Sequence, residues 1–138
     1  MLKALKAKLT PNKRMGDRAE DMAKTYLQKK GLGFITQNYH SRRGEIDLIF
    51  QEGDKTLIFV EVKYRSDAQF GHADEMVTIH KQRKIIKAAS AYLQEKKLTE
   101  AVIVRFDVVA IEPNKQATSN DAESSLSIQW IQNAFQAH

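Results

Sequence analysis

Two periods of apolar spacing alternate along this chain, and the switches between them mark its elements. From Arg14 to Lys30, Met15, Ala19, Met22, Ala23, Tyr26 and Leu27 recur at helical spacing, and Gly31 stands where a C-terminal cap belongs. Gly33 to Tyr39 then reads as a short strand and "HSRRG" as a turn. Glu45 to Gln51 and Thr56 to Tyr64 form two more strands around "EGDK". Within "GEIDLIF", Ile46, Leu48 and Phe50 take one face at period two, while Glu45 and Asp47 take the other. The next strand, "TLIFVEVKY", is nearly continuous in β-branched and aromatic residues, which predicts a central position.

A polar stretch, "RSDAQFGHADEMV", is broken by Gly71 and reads as a loop. Thr78 is placed to cap a long helix through about Lys96, with Ile85, Ile86, Ala89, Tyr92 and Leu93 on its inner face. Ala101 to Ile111 is a strong strand. Residues 112–125 form a polar, mobile loop, and "LSIQWIQNAF" adds a short last strand and a helical turn. The order is αβββαβ in a single domain over 1–138. Short links make the first three strands an antiparallel meander. The helical crossover makes the fourth parallel to the third. The expected fold is α/β: a mixed sheet with a helix on each side.

The composition is ordinary, with 42% hydrophobic and 28% charged residues in 138. The chain has no cysteine, which excludes disulfides and thiolate zinc sites and agrees with a cytoplasmic location. No apolar run approaches the roughly 20 residues of a membrane span, and the N-terminus lacks the apolar core of a secretory signal. Charge changes the picture more. Five of the 22 basic residues (Lys3, Lys6, Lys8, Lys13 and Arg14) precede Gly16 without any acid, which leaves 17 bases against 17 acids elsewhere. Such an arm, 1–13, suits a polyanion or a solvated leader, and Leu2, Leu5 and Leu9 permit an amphipathic turn.

The acids on the strands raise a chemical question. Period two places Glu61, Lys63 and Arg65 on one strand face. An odd-length turn or a bulge brings Asp47 beside Glu61, whereas an even, unbulged turn sends them to opposite faces. Like charges facing each other destabilise a sheet by up to about 1 kcal/mol, so a cation should stand nearby. Lys63 or Arg65 in a solvated ion-pair ladder meets that need, and such ladders are common. A divalent ion such as Mg²⁺, which takes one or two carboxylates plus water and phosphate oxygens, is the second candidate, and spacing alone favours the ladder. With such an ion, Lys63 would orient water or stabilise a phosphorane-like transition state.

Several stretches together are similar to the YraN-like family of bacterial proteins: "GDRAEDMAKTYLQKKG", "NY" at Asn38–Tyr39, "GEIDLIF", "FVEVKYR", "HKQRKIIKAASAYL", "RFDVVAI" and "IQWIQNAF". That family is assigned to the PD-(D/E)XK, or restriction-endonuclease-like, superfamily. The resemblance covers most of the chain and implies the same αβββαβ core. It also implies Mg²⁺- or Mn²⁺-dependent hydrolysis of phosphodiester bonds in DNA or RNA, with structured DNA of repair or recombination as the expected substrate. By this analogy Asp47 and Glu61 take the metal-ligand positions and Lys63 that of the catalytic lysine. Glu20 matches the first-helix glutamate of related Holliday-junction resolvases. Lys81 matches a family position on the second helix and, with Arg43 and Arg65, is a candidate phosphate contact. The alternative is a non-catalytic module that keeps the fold and binds nucleic acid or protein. Resolvases of this superfamily tend to dimerise, but nothing in the sequence identifies an interface.

The remaining polar residues carry less. Asp107 shares a strand face with Arg105 and reads as an ion pair. His40, His72, His80 and His138 follow no zinc spacing, and Trp130, Tyr92 and Phe135 read as core. Arg83 and Lys87 read as a solvated helix face. Arg42 has the same reach toward a phosphate as Arg43.

Overall fold

A computed structural model describes residues 11–65, 77–98, 102–113 and 126–137, with side chains from Gly16 onward. Arm residues 1–10, most of the loop around Gly71 and His72, loop residues 114–125 and His138 lie outside the described residues.

The elements are α1 (Pro11–Lys29), β1 (Gly33–Ser41), β2 (Gly44–Glu52), β3 (Thr56–Tyr64), α2 (Ile79–Glu95), β4 (Ile103–Pro113) and β5 (Leu126–Phe135). They form one five-stranded sheet in the order β1-β2-β3-β4-β5. β1, β2 and β3 are antiparallel, β3 and β4 are parallel across the α2 crossover, and β5 returns antiparallel to β4. The α/β fold is thus as the periodicity predicts. No helix among the described residues is long and apolar enough to cross a membrane.

Local chemistry sets the element ends. α1 closes in a Schellman motif: Leu32 N–H donates to Leu27 O at 3.2 Å, Gly31 N–H donates to Gln28 O at 3.0 Å, and Gly31 takes φ +96°. Thr78 caps α2, its Oγ1 accepting Lys81 N–H at 3.1 Å. The β2–β3 pairing starts at Glu52↔Thr56, so the turn between them holds three residues, with Gly53 at φ +64°. An odd turn is the case that brings Asp47 and Glu61 together.

The helices cover opposite faces of the sheet. Ala19, Ala23 and Leu27 of α1 pack on Leu48, Phe50, Ile58, Val60, Val109 and Ile111. Ile85, Ala88, Ala89 and Tyr92 of α2 pack on Ile49, Leu57, Phe59, Phe106 and Val108. Aromatic contacts run from Tyr39 through Tyr92, Phe59 and Phe106 to Phe135, with centroids 5.1–5.9 Å apart.

Three expectations change. α1 starts at Pro11, so the end of the basic arm is helical; proline is well tolerated in a first helical turn. The tail is one strand of ten residues without a helical turn, because β4 offers it a full antiparallel partner. Period two also fails in β2: Leu48 and Phe50 belong to the α1-side core, but Ile46 belongs to the α2-side core. The alternation breaks at Asp47. Across from this break Asn38 takes φ +54°, a left-handed conformation that asparagine tolerates better than most residues.

The sheet also splits there. β2–β3 pairing stops at Leu48↔Val60, while β2 stays paired with β1 to Gly44 and β3 with β4 to Tyr64. Beyond that point β2 and β3 diverge, and the candidate residues gather at the fork.

Candidate active site

Asp47 lies on β2 at the mouth of the fork. Its Oδ2 accepts the Val62 N–H at 2.8 Å, replacing the backbone acceptor that the ended ladder no longer supplies. Continuing the register by one pair sets Asp47 opposite Glu61, and the two side chains are in hydrogen-bonding contact. Glu61 is only 5% exposed, with Lys63 Nζ at 3.6 Å and Lys81 Nζ at 3.8 Å from its Oε2. Burial, and then the Asp47 charge, push the Glu61 carboxyl up to about 8, against the opposing pull of Lys81 and Lys63. Two lysines therefore do not balance the buried pair.

Glu20 approaches from α1, near enough to feel the Asp47 charge. Burial, followed by Asp47 and then the weaker fields of Asp17, Asp21 and Glu45, pushes its carboxyl up to about 7. Its Oε1 is buried without a hydrogen-bond partner. Ala19, Ala23 and Leu27 fix this helix on the sheet, so Glu20 sits at the edge of a packed stripe.

Two carboxylates thus meet at the fork with a shortage of positive charge, and a third, Glu20, lies within reach of the Asp47 charge. Burial and the Asp47 charge favour the protonated Glu61 carboxyl, and Glu20 keeps an oxygen without a hydrogen-bond partner. A hard cation that displaces the proton and accepts oxygen ligands would relieve both conditions, so the donor set fits Mg²⁺ or Mn²⁺. Among the described residues no group of three His, Cys, Asp or Glu side chains stands close enough together to hold a metal ion. Two protein carboxylates with water and substrate oxygens is the arrangement such a site would take.

The other predicted residues separate. Lys63 and Lys81 are at the cluster. Arg43 stands in the β1–β2 turn, where Ser41 Oγ accepts its N–H at 3.2 Å. Arg65 follows β3, its N–H donating to Ile111 O at 2.9 Å. Glu45 is exposed and faces His40 at 3.2 Å, so it is a rim residue. His80 is exposed at the start of α2.

Asp107 is fully buried, and both its oxygens are occupied: Arg105 Nε and Nη2 donate at 2.9 Å each, as do Trp130 Nε1 and the Asn133 N–H. It is a structural ion pair, as expected. Trp130 is half-buried rather than core, and its indole anchors β5.

Sequence reading had no role for Asn38 and no reason for Gly44. Asn38 accommodates the break that turns Asp47 toward β3. A Cβ at Gly44 would lie 2.5 Å from the Lys84 carbonyl oxygen, so only glycine lets β2 approach α2 this closely. Gly44→Ala is expected to push α2 outward, cost about 1–3 kcal/mol and part Lys81 from Glu61. Urea unfolding measures the first effect. A midpoint equal to that of the parent would show that the helix yields freely.

The model of the Uncharacterised protein family UPF0102 matches residues 19–111. A UPF0102 protein of Vibrio parahaemolyticus is 46% identical over 127 residues, covering 92% of this chain and 96% of its own. UPF0102 proteins of Acinetobacter baumannii (strain AYE) and Legionella pneumophila are each 43% identical, covering 88% of this chain and 93% and 94% of their own. The chain belongs to UPF0102, which is the YraN family.

Proposed function

We propose that this UPF0102 protein is a Mg²⁺- or Mn²⁺-dependent endonuclease that hydrolyses phosphodiester bonds in nucleic acid, with structured DNA of repair or recombination as its substrate. The observation that carries this reading is the contact of Asp47 with Glu61 at the fork of the sheet, with Lys63 beside it and Glu20 within the Asp47 field. Asp47 and Glu61 would hold the ion, which supplies Lewis acidity and a more acidic water when bound. The chain's own groups do the rest. Lys63 steers the attacking water and faces the charge that builds on the phosphorus oxygens. Glu20, with its carboxyl up at about 7, is poised to take the proton the water loses. The water oxygen bonds to phosphorus as the phosphorus–oxygen bond to the leaving strand breaks. Lys81 neutralises Glu61 from the helix side.

Purified protein is expected to cut at least one of labelled junction, flap, nicked or single-stranded substrates with Mg²⁺ or Mn²⁺. Asp47→Ala and Lys63→Ala should each lose about a hundredfold or more in rate. No cleavage of any substrate, or variants that cut like the parent, would sink the mechanism.

One observation favours a second reading, a binding module without catalysis. Lys63 and Lys81 already pair with Glu61, so the cluster is partly neutralised by the protein itself. That module would hold nucleic acid equally well in EDTA, be indifferent to Asp47, and weaken with salt.

A further inference from the structure

A polar cleft of about 430 Å³ opens beside the carboxylates. Four cationic side chains line it: Arg42 and Arg43 from the β1–β2 turn, and Lys81 and Lys84 from the first turns of α2. Lys81 serves both places, since its Nζ also stands 3.8 Å from Glu61. The only acid on the lining, Glu45, is turned to His40 at 3.2 Å. Among the described residues Arg42, Arg43 and Lys84 have no carboxylate partner.

The cleft is built rather than incidental. Ser41 Oγ accepts the N–H groups of Arg43 and Gly44, both at 3.2 Å, which sets the turn before anything binds. At Gly44 the turn meets the helix backbone so closely that a Cβ would lie 2.5 Å from the Lys84 carbonyl oxygen. No polymer can pass between them. A strand laid across the carboxylates toward this side reaches a cationic wall.

Building on the hydrolytic reading above, but narrowing it from internal to end-directed cleavage, we propose that the cleft is a terminal-phosphate subsite. It holds the phosphomonoester at the end of a nucleic-acid strand whose neighbouring phosphodiester lies at the carboxylates. An internal phosphodiester carries one negative charge, whereas a phosphomonoester carries about −1.5 to −2 near neutral pH. Four cations around a cleft closed at its floor by the Gly44–Lys84 contact match the second better than the first. Two guanidiniums supply forked donors suited to its oxygens. The substrate class narrows accordingly to strands with a phosphorylated end near the cut.

Fluorescence anisotropy in EDTA tests this without cleavage. It compares three internally labelled oligonucleotides of one sequence: 5′-phosphorylated, 3′-phosphorylated and hydroxyl at both ends. One phosphorylated form is expected to bind about tenfold more tightly than the hydroxyl-ended strand. The Arg42→Gln/Lys84→Gln variant should lose that preference while keeping the parent's thermal midpoint. Lys84→Gln alone serves if the double variant unfolds. Equal affinities for all three strands, or a preference the variants retain, overturns the proposal. A loss in the variants that is uniform across the strands also overturns it, since the cations then contact internal phosphates. A phosphate preference in a protein that cuts nothing keeps the subsite and rejects the hydrolytic reading. Cleavage without the preference does the reverse.

Discussion

Replacing Glu61 with glutamine is expected to make the metal-free protein more stable at pH 8 while removing its response to Mg²⁺. The Glu61 carboxyl is pushed up to about 8 from its ordinary 4.5, chiefly by burial and by Asp47. A group whose folded value is raised favours the folded state while protonated. Its contribution is complete below about pH 4.5 and is lost as the pH climbs toward 8, because the unfolded chain ionises first. At about 1.4 kcal/mol per unit, the loss for so buried a group is on the order of a few kcal/mol. Glu20, pushed up to about 7, acts in the same direction over a narrower window. Glutamine cannot ionise, so Glu61→Gln should show a flatter stability curve between pH 5 and 8 in EDTA. An ion that requires both carboxylates ionised reverses the slope in the parent and leaves the variant unchanged. Urea unfolding followed by circular dichroism at several pH values reads all of this. Parallel curves for parent and variant in EDTA would mean that Glu61 is solvated and the cluster is not strained.

Asp107→Ala is expected to lower stability by about 3–5 kcal/mol, the range for removing one partner of a buried ion pair. The substitution strands more than Arg105. Trp130 Nε1 and the Asn133 N–H both lose an acceptor at 2.9 Å, and they hold β5 where its register with β4 shifts. Arg105 keeps the exposed Glu52 at 3.2 Å, which is a weaker, solvent-screened contact. The same unfolding measurement applies, with Mg²⁺ affinity of the folded fraction expected to match the parent. A stability change below about 1 kcal/mol would show that β5 is held by its ladder alone.

The sequence reveals the layers of this molecule because each element announces its own period. β3 reads as central, and it is, and Thr78 and Gly31 stand at the caps their chemistry predicts. The pairing of Asp47 with Glu61 was conditional on turn parity, and the three-residue turn settled it. What stayed hidden depends on partners distant in the chain. Period two in "GEIDLIF" predicts one face for Ile46 and Leu48. The break between them arises opposite Asn38 of another strand, so no window of β2 contains its cause. The short distance between Gly44 and α2 is likewise set by Lys84, forty residues away in the chain. The helical turn expected at the tail lost to a paired strand, because β4 was free to accept one. Lys81 could be matched to a family position. That it shares Glu61 with Lys63 followed only once α2 was seated on the sheet.

The chain has a single tryptophan, and its place makes it an optical gauge. Trp130 donates to Asp107 and meets Tyr26 of α1 edge-on, with ring centroids 6.5 Å apart at 85°. Tyr26 and Glu20 ride on the same helix. Any shift of α1 that accompanies ion loading at the fork must therefore pass the indole. Its emission reports, without a label, whether the helix carrying the third carboxylate is seated.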